Sequence, residues 1–192
     1  MDIFRSPDDY AFLAAMLCRA SRKHSLLIHA YAFMRNHFHL LVTPATASSV
    51  EKAMHAVNGH YASYFNDRYQ RTGGLFEGRY RATLIDSAAY WYRCMRYVEL
   101  NPVRAGIVSD PQAYRWTSYA AHALGTADPL VTPHTLYLAL GEDPRRREDC
   151  WRRMCAEGLS IDDLAEIRTA AHRGGVLGAL VLDEPDAAEE AG

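Results

Sequence analysis

Residues 25–42 are rich in Leu, Ile, Tyr, Phe and Val, and a short Met-Arg-Asn segment at positions 34–36 interrupts them. Two apolar runs separated in this way are typical of strands joined by a tight turn. We therefore predict one strand over 26–33 and a second over 37–43. Because a tight turn joins only antiparallel strands, the fold is expected to contain an antiparallel sheet.

Signals for helices flank this hairpin on both sides, with capping residues followed by apolar residues at helical spacing. We predict three longer helices, which run from Ser6 to about Lys23, from Ser48 to about Tyr69, and from Asp86 or Ser87 to Asn101. Asn101 is placed in the last turn or at the C-cap because the residue before a proline is pushed out of the α region. Alternation over 79–85 predicts a third strand. Together these elements predict an α+β fold.

The chain changes character after residue 120, so we predict a domain over 1–120 and a small helical appendage over 121–180. Within the appendage, short helical segments are predicted to start near Thr132, Asp143 and Ser160. Residues 181–192 hold five acids and no Lys or Arg. We expect this acidic tail to be disordered.

The formal charge of −2, taken over the whole chain, argues against a nucleic-acid partner. The chain has 21 Lys and Arg against 23 Asp and Glu, but five of the acids lie in the tail, which leaves +3 over residues 1–182. Between Tyr61 and Arg104, seven arginines stand against four acids. The charge distribution therefore allows a polyanionic partner.

The four cysteines form no C-x-x-C pair, which argues against a zinc site built from thiolates. No apolar run approaches the roughly 20 residues that a membrane helix requires. The first residues also lack the basic start and apolar core of a secretory signal. We expect reduced thiols, no membrane partner and a cytoplasmic location.

His37 and His39 are separated by one residue in the second predicted strand, so their side chains point to the same side. Two imidazoles in this arrangement can offer nitrogen lone pairs to one divalent cation, although they do not select a particular metal. The other interpretation is two hydrogen-bonded histidines in a half-buried strand. Both remain open at this point.

Tyr97 and Asn101 are an i, i+4 pair in the third predicted helix, on a face that also holds Tyr90 and Cys94. A tyrosine oxygen is a nucleophile that can form a covalent enzyme intermediate. The chain has 12 tyrosines, however, and most of them must be packing residues. The helix alone does not decide between these two roles for Tyr97.

Four segments resemble motifs of the single-tyrosine HUH transposases, and the resemblance is strongest to their REP-associated branch. They are MRNHFHLLV at 34–42, GLFEGRY at 74–80, RYVELNPVRAG at 96–106 and YRWTSY at 114–119. The motifs occur in the order and at the spacings of the family. The resemblance covers residues 4–120 and, more loosely, 158–178.

The resemblance implies a ferredoxin-like or RRM-like antiparallel sheet with helices on one face. It also implies that His37, His39 and Asn101 bind a divalent metal, Mg²⁺ or Mn²⁺. Tyr97 would attack single-stranded or hairpin DNA to form a 5′-phosphotyrosine link and a free 3′-OH. The implied partners are this DNA and a second copy of the chain.

Charge and neighbouring aromatic residues suggest which side chains contact DNA, since arginines beside aromatics suit single strands. The candidates are Arg68, Arg71, Arg79, Arg81 and Arg104. The alternative for each is a solvated arginine beside packed aromatic side chains.

Two departures from the family pattern affect the expected fold and activity. The family begins with a strand that precedes the first helix, and this sequence starts beyond it. We therefore expect an exposed edge or a gap in the sheet, and the shortened N-terminus puts activity in doubt. In addition, Arg35 stands where the family has Pro.

Two alternatives to a strand transferase follow. The first is a truncated or domesticated protein that binds hairpin DNA without cleaving it. The second is an unrelated metal-dependent hydrolase built on His37 and His39. The hydrolase would require a carboxylate near the pair, and none lies on the same strand.

Overall fold

The protein was analysed as a computed structural model that describes residues 1–76, 78, 80–173 and 176–177. Its elements in chain order are α1 (Pro7–Lys23), β1 (Leu26–Met34), β2 (His37–Pro44), α2 (Ser49–Arg68), β3 (Leu84–Ile85), α3 (Ala88–Glu99), α4 (Asn101–Arg104), a 3₁₀ helix (Pro111–Ala113), α5 (Tyr119–Ala123), α6 (Thr135–Leu138), α7 (Pro144–Ala156), α8 (Ile161–Arg173) and β4 (Val176–Leu177). The predicted α+β class, antiparallel sheet and helical C-terminal region are confirmed. The predicted acidic tail lies outside the described residues. None of the helices in the described ranges has the length and apolar character needed to cross a bilayer.

β1 and β2 form the antiparallel hairpin that the sequence predicts. Their register begins with Leu26 opposite Pro44 and ends with Met34 opposite His37, and one β-bulge interrupts it. A bulge adds a residue to one strand and increases the local twist. The turn at 35–36 leads directly into His37, so the end of the hairpin positions the first of the two histidines.

Eight of the nine residues of β1 are buried, so this strand packs on both of its faces. Tyr31 and Phe33 lie in a core formed with α1 and α2, whereas Ala30 and Met34 lie in a second core formed with α3. The resemblance places the helices on one face of the sheet, and in the structure they cover both. A strand that is apolar on both faces needs cover on both to exclude water.

The two edges of the hairpin differ. On the outer edge of β1, the Phe33 N–H donates to the Trp116 carbonyl (2.9 Å), and the Ser118 N–H donates to the Tyr31 carbonyl (3.1 Å). On the far edge of β2, no strand within the described ranges pairs with it. The exposed edge expected from the sequence therefore lies on β2, the strand that carries His37 and His39.

The strand predicted over 79–85 is wrong for most of its length. Within the described residues the strand is limited to β3, which pairs in parallel with β4. Tyr80 and Leu84 are exposed. The alternation in this segment therefore does not mark a buried sheet face, and it has no neighbouring strand that would hold residues 80–83 in a ladder.

The predicted end of the third helix needs a small correction. α3 ends at Glu99 with Leu100 as its C-cap, and Asn101 opens α4 instead of closing α3. Pro102 is then in the first turn of α4, where its missing N–H leaves no hydrogen bond unmade. The Arg104 N–H donates to the Leu100 carbonyl (3.0 Å), so the helical path continues across the junction.

Glu99 connects the end of α3 to the C-terminal helices. Its side chain is fully buried. It accepts hydrogen bonds from Ser118 Oγ (2.6 Å), His122 Nδ1 (2.7 Å) and Trp151 Nε1 (2.8 Å). A buried carboxylate is tolerated only when donors surround it. Because Trp151 belongs to α7, this network holds the C-terminal helices against the helix that carries Tyr97.

Candidate active site

His37 and His39 lie side by side on β2, as their spacing predicts. Their Nε2 atoms are 3.1 Å apart and their ring planes are nearly perpendicular, at 87°. Asn36 Oδ1 lies 2.7 Å from His37 Nδ1. An amide oxygen accepts, so a neutral His37 donates from Nδ1 and keeps its lone pair on Nε2. The two Nε2 atoms can therefore converge on one small cation.

Burial keeps both imidazoles neutral. It lowers the pKa of His37, and it lowers the pKa of His39 to about 4, with smaller contributions from the charges of His37 and Arg104. A neutral imidazole offers the lone pair that metal binding requires. Among the described residues, no Cys, Asp, Glu or further His joins them to make a group of three. A third ligand from this part of the chain would therefore be an amide, hydroxyl or carbonyl oxygen, and the carboxylate required by the hydrolase alternative is not found there.

α3 places Tyr97 beside the two histidines. The helix starts at Ser87, whose Oγ accepts a hydrogen bond from the Tyr90 N–H (3.3 Å). On its apolar side Met95 is completely buried in the second core. This register presents the partly exposed Tyr97 ring to His39, with 5.7 Å between the ring centroids and an angle of 82° between their planes.

Two of the other residues predicted on the same helical face are engaged elsewhere. Cys94 is buried, and the Tyr90 hydroxyl donates to Glu166 of α8. Asn101 belongs to α4. No hydrogen bond between the Asn101 side chain and either histidine is present among the described residues. The four-residue spacing from Tyr97 therefore places Asn101 just beyond the end of α3, and no hydrogen bond holds its side chain against His37 or His39 within the described residues.

Arg104 lies against Tyr97. Its Cζ is 4.1 Å from the centroid of the Tyr97 ring, and its Nη2 donates to the Tyr97 carbonyl (2.7 Å). Its Nη1 is buried and has no hydrogen-bond partner within the described part of the chain. Burial lowers the pKa of Arg104, Tyr97 partly offsets this, and the charge of Arg168 adds to it.

Arg168 is a residue of this region that the sequence analysis missed. It lies on α8, which docks through an ion pair between Arg93 and Asp163 (3.0 Å) and through the buried side chain of Ile167. In the sequence Arg168 is one basic residue of an amphipathic helix, far from the motifs. No local pattern indicates that it approaches Arg104, because tertiary docking creates that proximity.

Arg68, which the sequence analysis places at the DNA, is already paired within the protein. It forms an ion pair with Asp8 (2.9 Å) and lies 3.7 Å from Asp9. It also donates to the Tyr64 hydroxyl (2.9 Å). A guanidinium neutralised in this way has less to contribute to a phosphate contact.

The remaining predicted DNA contacts differ in what the structure shows. Arg71 lies over the Phe65 ring, 5.7 Å from its centroid, and its buried Nη1 has no partner among the described residues. Arg5, which was not predicted, lies over the same ring at 5.3 Å. Arg81 is exposed, and Arg79 lies outside the described residues. Arg5 and Arg71 therefore place two positive charges over Phe65, whose ring is buried in the core.

A shallow groove of about 570 Å³ opens beside the turn that precedes His37. Arg5, Tyr10 and Arg35 are among the side chains that line it. Arg35 is also ion-paired with Asp2 (2.7 Å). Aromatic and basic side chains together suit nucleobase stacking and backbone contacts. The position where the family pattern has Pro thus contributes an arginine to this groove, and the arginine is already paired with Asp2, which lines the same groove.

A family model described as "Transposase IS200 like" matches residues 2–101. The matched span covers just over half of the chain and includes both histidines and Tyr97. It ends at Asn101, so it does not include Arg104 or Arg168. No curated protein and no solved structure matches the chain.

Proposed function

The chain belongs to the IS200-like transposase family, and from this premise we propose that it is a metal-dependent DNA strand transferase. It cleaves and rejoins single-stranded DNA, or REP-type hairpins, through a covalent bond to Tyr97. The observation that carries the proposal is the position of Tyr97, whose ring centroid lies 5.7 Å from that of His39 in the paired histidines.

The proposed reaction is an exchange of phosphodiester bonds. The Tyr97 oxygen attacks the phosphorus, the bond from phosphorus to the 3′ oxygen breaks, and the phenol proton ends on that oxygen. The products are a 5′-phosphotyrosine and a free 3′-OH. Rejoining is the reverse step, in which a 3′-OH attacks and the Tyr97 oxygen leaves with its proton restored. The phosphate ester is conserved throughout, so no external energy source is required.

His37 and His39 are the proposed metal ligands, with Asn101 as the third. The donor set fits a divalent cation, because two neutral imidazole nitrogens lie 3.1 Å apart on the side of β2 that faces Tyr97. An amide oxygen beside two nitrogens suits Mn²⁺ as well as Mg²⁺. A bound cation would supply positive charge to polarise the scissile phosphate.

DNA is the proposed partner, held by positive charge and aromatic stacking. Arg71 and Arg104 each have a buried guanidinium nitrogen without a described partner, and Arg81 is exposed. The ion pair of Arg68 with Asp8 makes it a weaker contact. We further propose that the protein acts in the cytoplasm as a homodimer. The edge of β2 that no described strand covers can accept a strand from a second copy.

The test is covalent capture of DNA. The purified protein is incubated with Mn²⁺ and hairpin oligonucleotides taken from the DNA that flanks its gene, and the mixture is then denatured. We expect a protein–DNA adduct in the wild type and none in Tyr97→Phe. His39→Ala should reduce the adduct strongly. Tyr90→Phe is the matched control, because it removes a hydroxyl from the same helix at a position facing α8.

The outcomes separate the candidate functions. An adduct that persists in Tyr97→Phe would show that another nucleophile acts. A wild type that shifts the hairpin in a gel without forming an adduct would identify a binding protein that does not cleave. A wild type that hydrolyses the DNA without a covalent intermediate would identify a hydrolase.

A further inference from the structure

Arg104 is attached to the proposed nucleophile at two points. Its guanidinium lies over the Tyr97 ring, with 4.1 Å from Cζ to the ring centroid. Its Nη2 donates to the carbonyl of the same residue at 2.7 Å. The short helix α4 supplies this geometry by carrying Arg104 back against the last turn of α3. The guanidinium is therefore held in place by Tyr97 itself.

The second terminal nitrogen of this guanidinium makes no hydrogen bond to the described part of the protein. Nη1 is buried and has no hydrogen-bond partner there. Buried donors in native proteins are almost always paired, so an unpaired one requires an explanation. A ligand that brings its own acceptor to Nη1 is one explanation.

The charges around Arg104 also favour an anion. Within the described residues Arg104 forms no ion pair with a carboxylate, and the second positive charge that acts on it is that of Arg168 from α8. Like charges repel each other, and an anion bound at Arg104 would offset that repulsion.

We propose that Arg104 binds the phosphate that becomes bonded to Tyr97, and that it is a catalytic residue in both cleavage and rejoining. This inference rests on the proposed function. The free Nη1–H of Arg104 donates to a non-bridging oxygen of the phosphodiester. During rejoining, the bond from phosphorus to the Tyr97 oxygen breaks, and the guanidinium over the ring stabilises the negative charge that develops on that oxygen.

A purely structural role explains less of the geometry. If Arg104 only linked α4 to α3, that role would account for the hydrogen bond from its Nη2 to the Tyr97 carbonyl. It would not account for the buried Nη1, which has no partner among the described residues. The two roles also differ in what they predict for variants that retain the fold.

The main test compares rates of adduct formation, using Mn²⁺ and the same hairpin oligonucleotides. Arg104→Gln should slow the reaction about 100-fold, the usual loss for a donor that stabilises a transition state. Arg115→Gln is the matched control, since Arg115 also lies over an aromatic ring, that of Trp116 (4.4 Å), but away from Tyr97. It should react at the wild-type rate.

Chemical rescue separates catalysis from folding. Free guanidinium ion added to Arg104→Ala should restore part of the adduct rate, because the small cation can occupy the vacated site. An Arg104→Gln variant that reacts within threefold of the wild-type rate would overturn the inference. An Arg104→Ala variant that folds, reacts slowly and is not rescued would overturn it as well.

A second measurement does not depend on cleavage. Inorganic phosphate is titrated with the protein and followed by broadening of its ³¹P resonance. We expect broadening with the wild type and its loss with Arg104→Gln. A wild type that forms no adduct would refute the proposed function. The titration would still show whether Arg104 binds phosphate, because it does not depend on cleavage. Absent broadening, or broadening that persists in Arg104→Gln, overturns the site.

Discussion

Replacing Glu99 by Gln should destabilise the protein far more than its conservative chemistry suggests. The Glu99 carboxylate is fully buried and accepts hydrogen bonds from Ser118, His122 and Trp151. Oε1 receives the first two and Oε2 receives the third. An amide has only one oxygen. Whichever way it is turned, its NH₂ group faces a side that carries donors.

The magnitude follows from this geometry. At least one hydrogen bond to a charged group is lost, which contributes about 1.5–3 kcal/mol, and one buried donor is left unpaired at a cost of about 1–3 kcal/mol. We therefore expect the free energy of unfolding to fall by about 3–5 kcal/mol. For a chain of this length, that lowers Tm by an amount on the order of 10 °C.

Urea unfolding followed by tryptophan fluorescence measures this change directly. Glu166→Gln is the control, because Glu166 accepts the Tyr90 hydroxyl at an exposed position, where surface substitutions stay within about 0.5 kcal/mol. Trp151→Phe keeps an aromatic ring and removes one donor. The double variant Glu99→Gln with Trp151→Phe should then lose less than the sum of the single losses, since the donor facing the NH₂ is gone. A loss below about 1 kcal/mol in Glu99→Gln would refute the reasoning that the network requires a carboxylate.

Three further predictions concern stability. The pKa of His39 is lowered to about 4, mainly by burial, so its contribution to the stability of the metal-free protein is complete above pH 6.5 and is lost as pH falls towards 4. In urea unfolding, His39→Asn should reduce the difference between the free energies of unfolding at pH 7 and pH 4.5 by up to about 3 kcal/mol. An unchanged difference would exclude His39 as the titrating group. Asp9→Ala should cost about 2–4 kcal/mol in the same assay, because buried Asp9 accepts hydrogen bonds from the backbone N–H groups of residues 5 and 6 and from two tyrosine hydroxyls; Asp8→Ala, at an exposed position, is its control. Met95→Ala should cost about 2–5 kcal/mol, because the Met95 side chain of α3 is completely buried in the second core, and a smaller loss of Tm than that of Leu138→Ala, at an exposed position, would contradict this packing.

Local patterns predicted the parts of the fold that local physics determines. The hairpin follows from two apolar runs around a polar turn, and the start of α3 follows from the capping hydroxyl of Ser87. The spacing of His37 and His39 placed them on one side of β2 for the same reason. Each of these outcomes depends on residues that are neighbours in the sequence.

The errors arose where distant contacts decide the outcome. Residues 80–83 alternate like a strand, but no strand among the described residues pairs with them. Glu99 lies in a helix whose sequence gives no sign that a carboxylate there is buried, because its three donors come from residues 118, 122 and 151. Arg168 approaches Arg104 because α8 docks on α3. Such proximities depend on the assembled fold.

The two edges of the hairpin differ in whether another strand can pair with them. Backbone hydrogen bonds to residues 116 and 118 occupy the outer edge of β1 at Phe33 and Tyr31, whereas no strand among the described residues covers the outer edge of β2. Any strand that a partner adds would therefore run beside His37 and His39 and change their freedom to move and their access to solvent. The proposed self-association and the proposed DNA cleavage would then involve the same strand. If both proposals hold, the rate of adduct formation should depend on protein concentration.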